Sequence, residues 1–572
     1  MATGIRSGQR GIKGAFNRFL ANHLETVLSI PGSRLYKHFV RAAQDTEGTQ
    51  RALLGEILEH SADTVIGRER GFAKIRGYEQ YAERVPVGDY EDHRPYIDRH
   101  ARGEEGVLFP GKPIMYNCSS GTTAQPKLIP ISQFNFDRTI SKRGKLWLYG
   151  LMREFPGVFA GKDLSVVSKD VEGHTEDGTP FGSLSGLIYK NIPEFVKLVH
   201  TIPYSVMTIE DYDAKIYSLL RFSVPSNVTA MFTGNPSTVH NMVTRADQWK
   251  EELIRDVRDG TLRKDLDLEP GIRAEAEAML EPAPERAAEL DRIASSGDRF
   301  RPIDYWPDLK LVHTWKNGNC RLVIPKLEPW FGGKVPFLDF GYIASEITAT
   351  DLLDRETDGS ILQVQSAFYE FTRLADEDAD DRRFYLAHEL EVGERYFIYV
   401  TTLSGLYRYD MNDVVEVVGR FHQAPVFKFL FKGQGVTSIT GEKLSEQQFI
   451  EAVQRGAREA GVEHDFFLGL ADVEQTRYVL HIELLGDPAA DAVDRFADAV
   501  DGALHEVNVE YEAKRKSDRL GPVTVVHMGE GFFDRYRTLR LDEGAHIGQL
   551  KWMNLTGTDA DRRRLEKLRE EA

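Results

Sequence analysis

Cys118-Ser119-Ser120-Gly121-Thr122-Thr123-Ala124-Gln125-Pro126-Lys127 packs four hydroxyls, a glycine and a closing lysine into ten residues. Strand-like segments flank it, Pro113-Ile114-Met115-Tyr116 before and Leu128-Ile129-Pro130-Ile131 after, so the run reads as a polar loop between extended segments. Such a loop suits a polyphosphate. The glycine lets successive N–H groups converge, the hydroxyls add donors, and the lysine contributes a point charge. A hydroxyl-rich surface linker has the same composition, so the run alone leaves both readings open. It is not a Walker loop, because its lysine follows proline and not glycine.

Around this loop the pattern is α/β. Residues 12–82 read mainly as helix, with Leu53, Leu54, Ile57 and Leu58 at helical spacing. From about residue 105 short apolar runs alternate with helical stretches, and Leu164-Ser165-Val166-Val167 and Val228-Thr229-Ala230-Met231-Phe232 are the clearest strands. Residues 248–298 read as solvated helices broken at Pro282 and Pro284. Strands resume at Leu309-Lys310-Leu311-Val312 and Tyr396-Phe397-Ile398-Tyr399-Val400.

The glycines of Lys432-Gly433-Gln434-Gly435 follow the apolar run 426–431 and mark a hinge. Beyond it the chain reads as helix over 445–460, strand over 478–485, helix over 489–507 and strand around 523–526, a small α+β unit. The expected division is therefore 1–431 and 432–572.

With 572 residues the chain exceeds the roughly 250–300 at which one core stops growing. Its net charge of −17 opposes general binding to nucleic acid or to an anionic membrane surface, while leaving room for a local nucleotide pocket. No stretch approaches the ~18 uninterrupted apolar residues of a membrane span, and the segment from Phe16 to Ile30 is too interrupted for a signal peptide. Two cysteines, Cys118 and Cys320, exclude a disulfide framework and a cysteine-rich zinc site, and a cytoplasmic location is expected.

Three further constellations carry chemistry. Gly341-Tyr342-Ile343-Ala344-Ser345-Glu346 offers an aromatic ring to stack adenine and a carboxylate for Mg²⁺ on ATP phosphates, although an exposed turn would look the same. In Thr401-Thr402-Leu403-Ser404-Gly405-Leu406-Tyr407-Arg408-Tyr409-Asp410-Met411-Asn412-Asp413-Val414-Val415, Asp413 has two acceptor oxygens to match a ribose diol, and turn chemistry is the alternative. Near the end, Gly544-Ala545-His546-Ile547-Gly548-Gln549-Leu550-Lys551 supplies a lysine able to stabilise charge at an α-phosphate, where a surface lysine is the bland reading. Gly433-Gln434-Gly435 is no dinucleotide fingerprint, since the next glycine is Gly441.

In this order the four motifs resemble the adenylate-forming superfamily, and most closely the Gretchen Hagen (auxin-responsive promoter) family of acyl-acid amido synthetases. Ser119 to Lys127 is similar to the superfamily phosphate loop, with Ala124 where glycine or serine is commoner. Tyr342 to Glu346 resembles the tyrosine-alanine-serine-serine-glutamate motif, with departures at Ile343 and Ala344. The third motif carries Asn412 in place of the usual glycine. Val85-Pro86-Val87 with Tyr90-Glu91, Phe368-Tyr369-Glu370-Phe371, Gly441-Glu442-Lys443 and Gln549-Leu550-Lys551 are further matches, so the resemblance spans about residues 50–555.

The resemblance implies a large N-terminal adenylate-forming domain and a smaller, mobile α+β C-terminal domain that rotates between two half-reactions. A carboxylic acid would attack the α-phosphate of Mg-ATP, and an amine, an amino acid in this branch, would then take the acyl group. Ser119, Ser120, Gly121, Thr122, Thr123 and Lys127 would hold phosphates, and Tyr342, Ser345 and Asp413 the nucleoside. Glu346 would ligate Mg²⁺ and Lys551 would assist adenylation. The nearest rival, an acyl-CoA ligase, usually carries a glycine-lysine pair near its C-terminus, and none follows Gly435 here; the other rival, a catalytically silent nucleotide-binding regulatory protein, is opposed by the joint presence of Glu346, Asp413 and Lys551. The acid, the amine and the oligomeric state are not legible in the sequence.

Overall fold

Aromatic and β-branched runs build the sheets and capped amphipathic segments build the helices that cover them. The computed structural model describes residues 19–20, 23–119, 127–317, 320, 323–351, 359–376, 382–433, 436–486, 490–542 and 554–570. The chain divides into two compact units: residues up to Ser119 and Leu128–Phe431 belong to the first, and the chain from Lys432 onward to the second.

In the first unit, β1 (Met115–Ser119) and β2 (Lys127–Ile131) flank the hydroxyl-rich run, followed by β3 (Lys162–Val166), β4 (Gly173–His174) and β5 (Pro180–Gly182). β6 (Val228–Thr233), β7 (Leu311–His313) and β8 (Phe337–Leu338) come next. β3, β6, β7 and β8 form a parallel sheet in that order, and β2, β1, β5 and β4 form a second sheet. The two central strands of the parallel sheet, β6 and β7, are buried along their whole length, as expected where helices cover both faces. The charged helices Lys250–Asp259 and Pro284–Ser296 lie at this unit's surface and bury only Leu253, Asp256, Val257, Ala287 and Leu290.

The third sheet of this unit has seven strands and is antiparallel at the described pairings. It comprises β9 (Thr350–Asp351), β10 (Ser360–Leu362), β11 (Ala367–Arg373), β12 (Tyr385–Leu386), β13 (Arg395–Thr402), β14 (Tyr409–Phe421) and β15 (Ala424–Lys432). The helix Thr46–His60 packs Leu53, Leu54, Ile57 and Leu58 against it, and the Asp45 side chain caps its start by accepting the Gly48 N–H at 3.0 Å. Gln50 on this helix is buried and fastens to β11: its amide donates to the carbonyls of Val364 and Ala367 and accepts the Tyr369 N–H.

In the second unit β16 (Val436–Thr437) and β17 (Leu444–Ser445) pair antiparallel. β18 (His464–Asp472), β19 (Arg477–Leu484), β20 (Thr524–His527) and β21 (Leu555–Thr556) form a mixed sheet. The helices Glu446–Ala460 and Ala490–Val507 cover it, burying Phe449, Phe496, Val500 and Leu504 against Tyr478, Leu480 and Ile482. Glu442, of the Gly441-Glu442-Lys443 motif, is buried and accepts the N–H groups of Ile439 and Thr440 and the Tyr478 hydroxyl, so it stabilises a turn. Among the described residues no helix is long and apolar enough to cross a membrane.

Candidate active site

β1 delivers the chain to the hydroxyl-rich run, and its Asn117 is the first residue to tie that run to another motif. The Asn117 side-chain amide donates to the Ser345 carbonyl at 2.9 Å and accepts the Leu184 N–H at 3.0 Å. Ser119 ends β1 and Lys127 begins β2; Ser120, Gly121, Thr122 and Thr123 lie outside the described residues, as does Lys551.

The second motif is a tight hairpin. Ile343 bridges Thr348 and the Ala344 N–H meets the Ile347 carbonyl at 2.8 Å, so Ser345 and Glu346 form its tip. Gly341 precedes it in a left-handed conformation (φ +78°), where a Cβ would sit 2.6 Å from the Thr350 hydroxyl. That hydroxyl accepts the Tyr342 N–H at 2.7 Å, so the glycine admits the contact that seats the next residue.

The third motif is a bulge. Phe397 pairs with Val414 and Tyr399 with Asp410, so three residues of β14, Met411 to Asp413, stand opposite one residue of β13. Asn412 lies at φ +50° and its N–H meets the Asp410 carboxylate at 2.7 Å, which supplies the left-handed backbone for which the resembling family uses glycine. Asn412→Gly should therefore leave stability within about 1 kcal/mol, whereas Asn412→Val should cost about 1–2 kcal/mol, because a branched Cβ clashes at positive φ. Urea unfolding of the two variants checks this; equal stabilities would show that the bulge does not depend on that conformation.

Side chains then join the motifs. The Tyr342 hydroxyl donates to Asp413 Oδ2 at 2.6 Å, and the Tyr409 hydroxyl donates to Glu346 Oε1 at 3.2 Å. Tyr342 is only 5% exposed and its ring stacks on Phe429 with centroids 5.8 Å apart. Expected as an open wall for adenine, this ring instead lies in the core and orients Asp413. Burial, reinforced by the Asp413 charge, holds its phenol well above the ordinary range, so it stays a donor at physiological pH. One oxygen of the carboxylate expected to take a ribose diol is thus already engaged, and each oxygen has two lone pairs with which to share.

At the carboxyl ends of the parallel strands, where open α/β sheets bind ligands, the His313 ring stacks with Phe340 (4.0 Å, 9°) and Trp147 (5.4 Å, 17°), whose own rings stack with centroids 6.2 Å apart. Its Nε2–H donates to the Asp339 carbonyl at 2.9 Å, while Nδ1 is buried with no hydrogen-bond partner among the described residues. Burial, with a smaller push from the Arg143 cation, holds the imidazole down to about 3. The half-buried Trp147 and Phe340 therefore stack with a neutral ring and with each other in a flat aromatic cluster, and Phe340 stands two residues before Tyr342.

His313 should not titrate between pH 8 and 5, so its ring carbon shifts should stay constant in that range; a midpoint near 6.5 would overturn the assignment. Below about pH 6.5 the unfolded chain binds a proton the fold refuses, so this ring withdraws about 1.4 kcal/mol per pH unit as the pH falls toward about 3.

Two buried ion pairs brace the same region and were missed from sequence. Arg143 reaches Asp351 at 2.6 Å, beside the Thr350 that seats Tyr342. Arg408 reaches Glu370 at 2.8 Å, directly before Tyr409. A charge set among aromatic residues, as in Phe368-Tyr369-Glu370-Phe371, was the available signal, since such a charge is buried only with a partner.

Among the described residues no cluster of three or more metal-ligating side chains occurs. Mg²⁺ on a nucleotide does not require one, because it takes one or two carboxylates and fills its shell with phosphates and water. A glutamate at a hairpin tip, partly accessible and oriented by a neutral hydroxyl, fits that demand.

Comparison with known proteins gives matches along most of the chain. Residues 35–337 match the GH3 family N-terminal domain, 360–432 its central domain and 447–558 its C-terminal domain. A probable indole-3-acetic acid-amido synthetase, GH3.11 of Oryza sativa subsp. japonica, is 27% identical over 573 residues, covering 92% of this chain and 94% of its own. The jasmonoyl-L-amino acid synthetase GH3.5 of the same plant is 26% identical, covering 90% of this chain and 93% of its own.

The solved AtGH3.15 acyl acid amido synthetase in complex with 2,4-DB superposes with a TM-score of 0.65 at 23% identity, covering 94% of this chain and 96% of that one. A 2-hydroxyisobutyryl-CoA ligase, with 2-HIB-AMP and CoA, gives 0.52 at 14% identity, covering 93% of each chain. Both likenesses concern the fold.

Proposed function

The chain belongs to the GH3 family, and from that premise we propose that it is an ATP-dependent acyl-acid amido synthetase joining a small carboxylic acid to an amine, with an amino acid as acceptor. Relatives named for indole-3-acetic acid and jasmonoyl conjugation support the reaction class. The observation that carries the reading is the side-chain bonding among the motifs. Asn117 beside the phosphate run holds Ser345, Tyr342 holds Asp413, and Tyr409 holds Glu346, so residues up to 228 positions apart form one constellation.

In the first step a carboxylate oxygen of the acid attacks the α-phosphorus of ATP, and the bond to the bridging oxygen breaks to release pyrophosphate. The carboxylate is a poor acyl donor until this converts its oxygen into part of a good leaving group, and the nucleotide also serves as a handle for binding energy. In the second step the amine nitrogen attacks the acyl carbon, AMP leaves, and the nitrogen loses a proton.

Ser119, Ser120, Gly121, Thr122, Thr123 and Lys127 would bind and orient the phosphates, Ser345 would lie beside the nucleoside, and Asp413, held by Tyr342, would accept a ribose hydroxyl. Glu346 would hold Mg²⁺, which when bound neutralises phosphate charge. Lys551 would stabilise charge during adenylation. Trp147 and Phe340 offer a wall for the apolar body of the acid.

The test is ATP-dependent hydroxamate formation over a panel of carboxylic acids, followed by amino acids or CoA as acceptor. Amide formation with an amino acid supports the reading. Thioester formation alone moves the chain to the CoA-ligase reaction, and the failure of every acid to release pyrophosphate removes the catalytic reading.

A further inference from the structure

Tyr409 begins β14 and is only 2% exposed, with its ring edge-on to His93 at 5.4 Å between centroids. We propose that Tyr409 is a positioning residue that holds the Glu346 carboxylate in the orientation that receives the metal of the nucleotide; this rests on the reading of Glu346 as the magnesium carboxylate. The hydroxyl contacts Glu346 Oε1 at 3.2 Å from across 63 residues of sequence. A neutral donor suits this role. It selects one orientation of a carboxylate at a hairpin tip without cancelling the charge that attracts a cation, as a lysine or arginine in its place would.

The frame behind Tyr409 is rigid. Arg408 stands in the left-handed region (φ +46°), and its guanidinium is held on every side: Nε bonds both Glu370 oxygens at 3.0 and 2.9 Å, Nη1 bonds the Ala82 and Val85 carbonyls at 3.0 Å each, and Phe384 lies 4.6 Å from it. Its backbone N–H meets the Thr401 hydroxyl at 3.0 Å and its carbonyl accepts the Gly88 N–H at 3.2 Å. Asp410 on the other side donates its N–H to the Gly88 carbonyl at 2.9 Å, so Tyr409 is clamped by both neighbours. The Val85-Pro86-Val87 and Phe368-Tyr369-Glu370-Phe371 motifs, which contain no residue expected at the nucleotide, thereby acquire a role: they fix where one phenol hydroxyl stands.

Tyr409→Phe removes the hydroxyl and keeps the ring against His93. Calorimetric titration of the full chain with ATP, in Mg²⁺ and in EDTA, reads the effect without catalysis. The expected result is about a tenfold loss of affinity for ATP in Mg²⁺, as for other groups that orient a metal carboxylate. Affinity in EDTA and the melting temperature should stay at wild-type values. In a Glu346→Gln background the same substitution should have no further effect. Equal losses with and without Mg²⁺, no loss in either, or an unchanged effect in the Glu346→Gln background would each overturn the proposal. The ligase reading fails separately: a chain that forms no amide with any acid still reports whether Tyr409 governs the magnesium-dependent part of ATP binding.

Discussion

Glu370→Gln should lower the unfolding free energy of the first unit by about 3–5 kcal/mol, the penalty for leaving a buried charge without its partner. Glu370 is 1% exposed and Arg408 5%, so water cannot replace the lost carboxylate. Burial raises the Glu370 carboxyl, Arg408 opposes that shift, and the two groups exist as an ion pair only because each answers the other. Glu370 also accepts the Tyr78 hydroxyl at 2.9 Å, so the substitution disturbs a second contact.

Urea unfolding followed by tryptophan fluorescence reads the right unit, since five of the six tryptophans precede Phe431. The double variant Glu370→Leu with Arg408→Met should recover part of the loss, because two apolar side chains leave no unpaired charge. The recovery stays partial because the Ala82 and Val85 carbonyls lose their donor. A single variant as stable as the wild type would mean that the pair is solvated and does not clamp β14.

Lys551→Ala should slow adenylation by about 10²–10³-fold, the usual cost of removing one donor to charge that develops in a transition state. Negative charge grows on the α-phosphate and on departing pyrophosphate in that step, and a cation aimed there is worth most where water is excluded. In the second half-reaction the charge that changes lies at the acyl carbon, so consumption of a supplied acyl adenylate should fall far less. Single-turnover measurements of each half-reaction separate the two. A comparable loss in both would remove Lys551 from the adenylation step and make it a general contributor to nucleotide binding.

The sequence carried most of the secondary structure because the signals are local. Tyr396 to Val400 reads as strand and lies within β13 from its own aromatic and branched composition. Leu53, Leu54, Ile57 and Leu58 set one helical face by spacing alone. The candidate site was legible as an ordered series of motifs, of which Ser120, Gly121, Thr122, Thr123 and Lys551 lie outside the described residues.

Roles that depend on neighbours were not legible. Tyr342 read as an aromatic wall because its ring is what the sequence displays, whereas its hydroxyl is committed to a carboxylate 71 residues away. Arg408 and Glu370, 38 residues apart, read as unremarked members of two aromatic runs.

Composition and spacing along the chain thus determined the α/β pattern, and the order of its motifs carried the resemblance to the adenylate-forming amido synthetases. Only the tertiary structure decided which hydroxyl orients which carboxylate, and that a left-handed arginine clamps the strand that does so. Periodicity and composition are properties of neighbours in sequence, whereas a hydrogen bond between Tyr409 and Glu346 exists only once a hairpin tip and a distant strand bring the two side-chain oxygens to 3.2 Å.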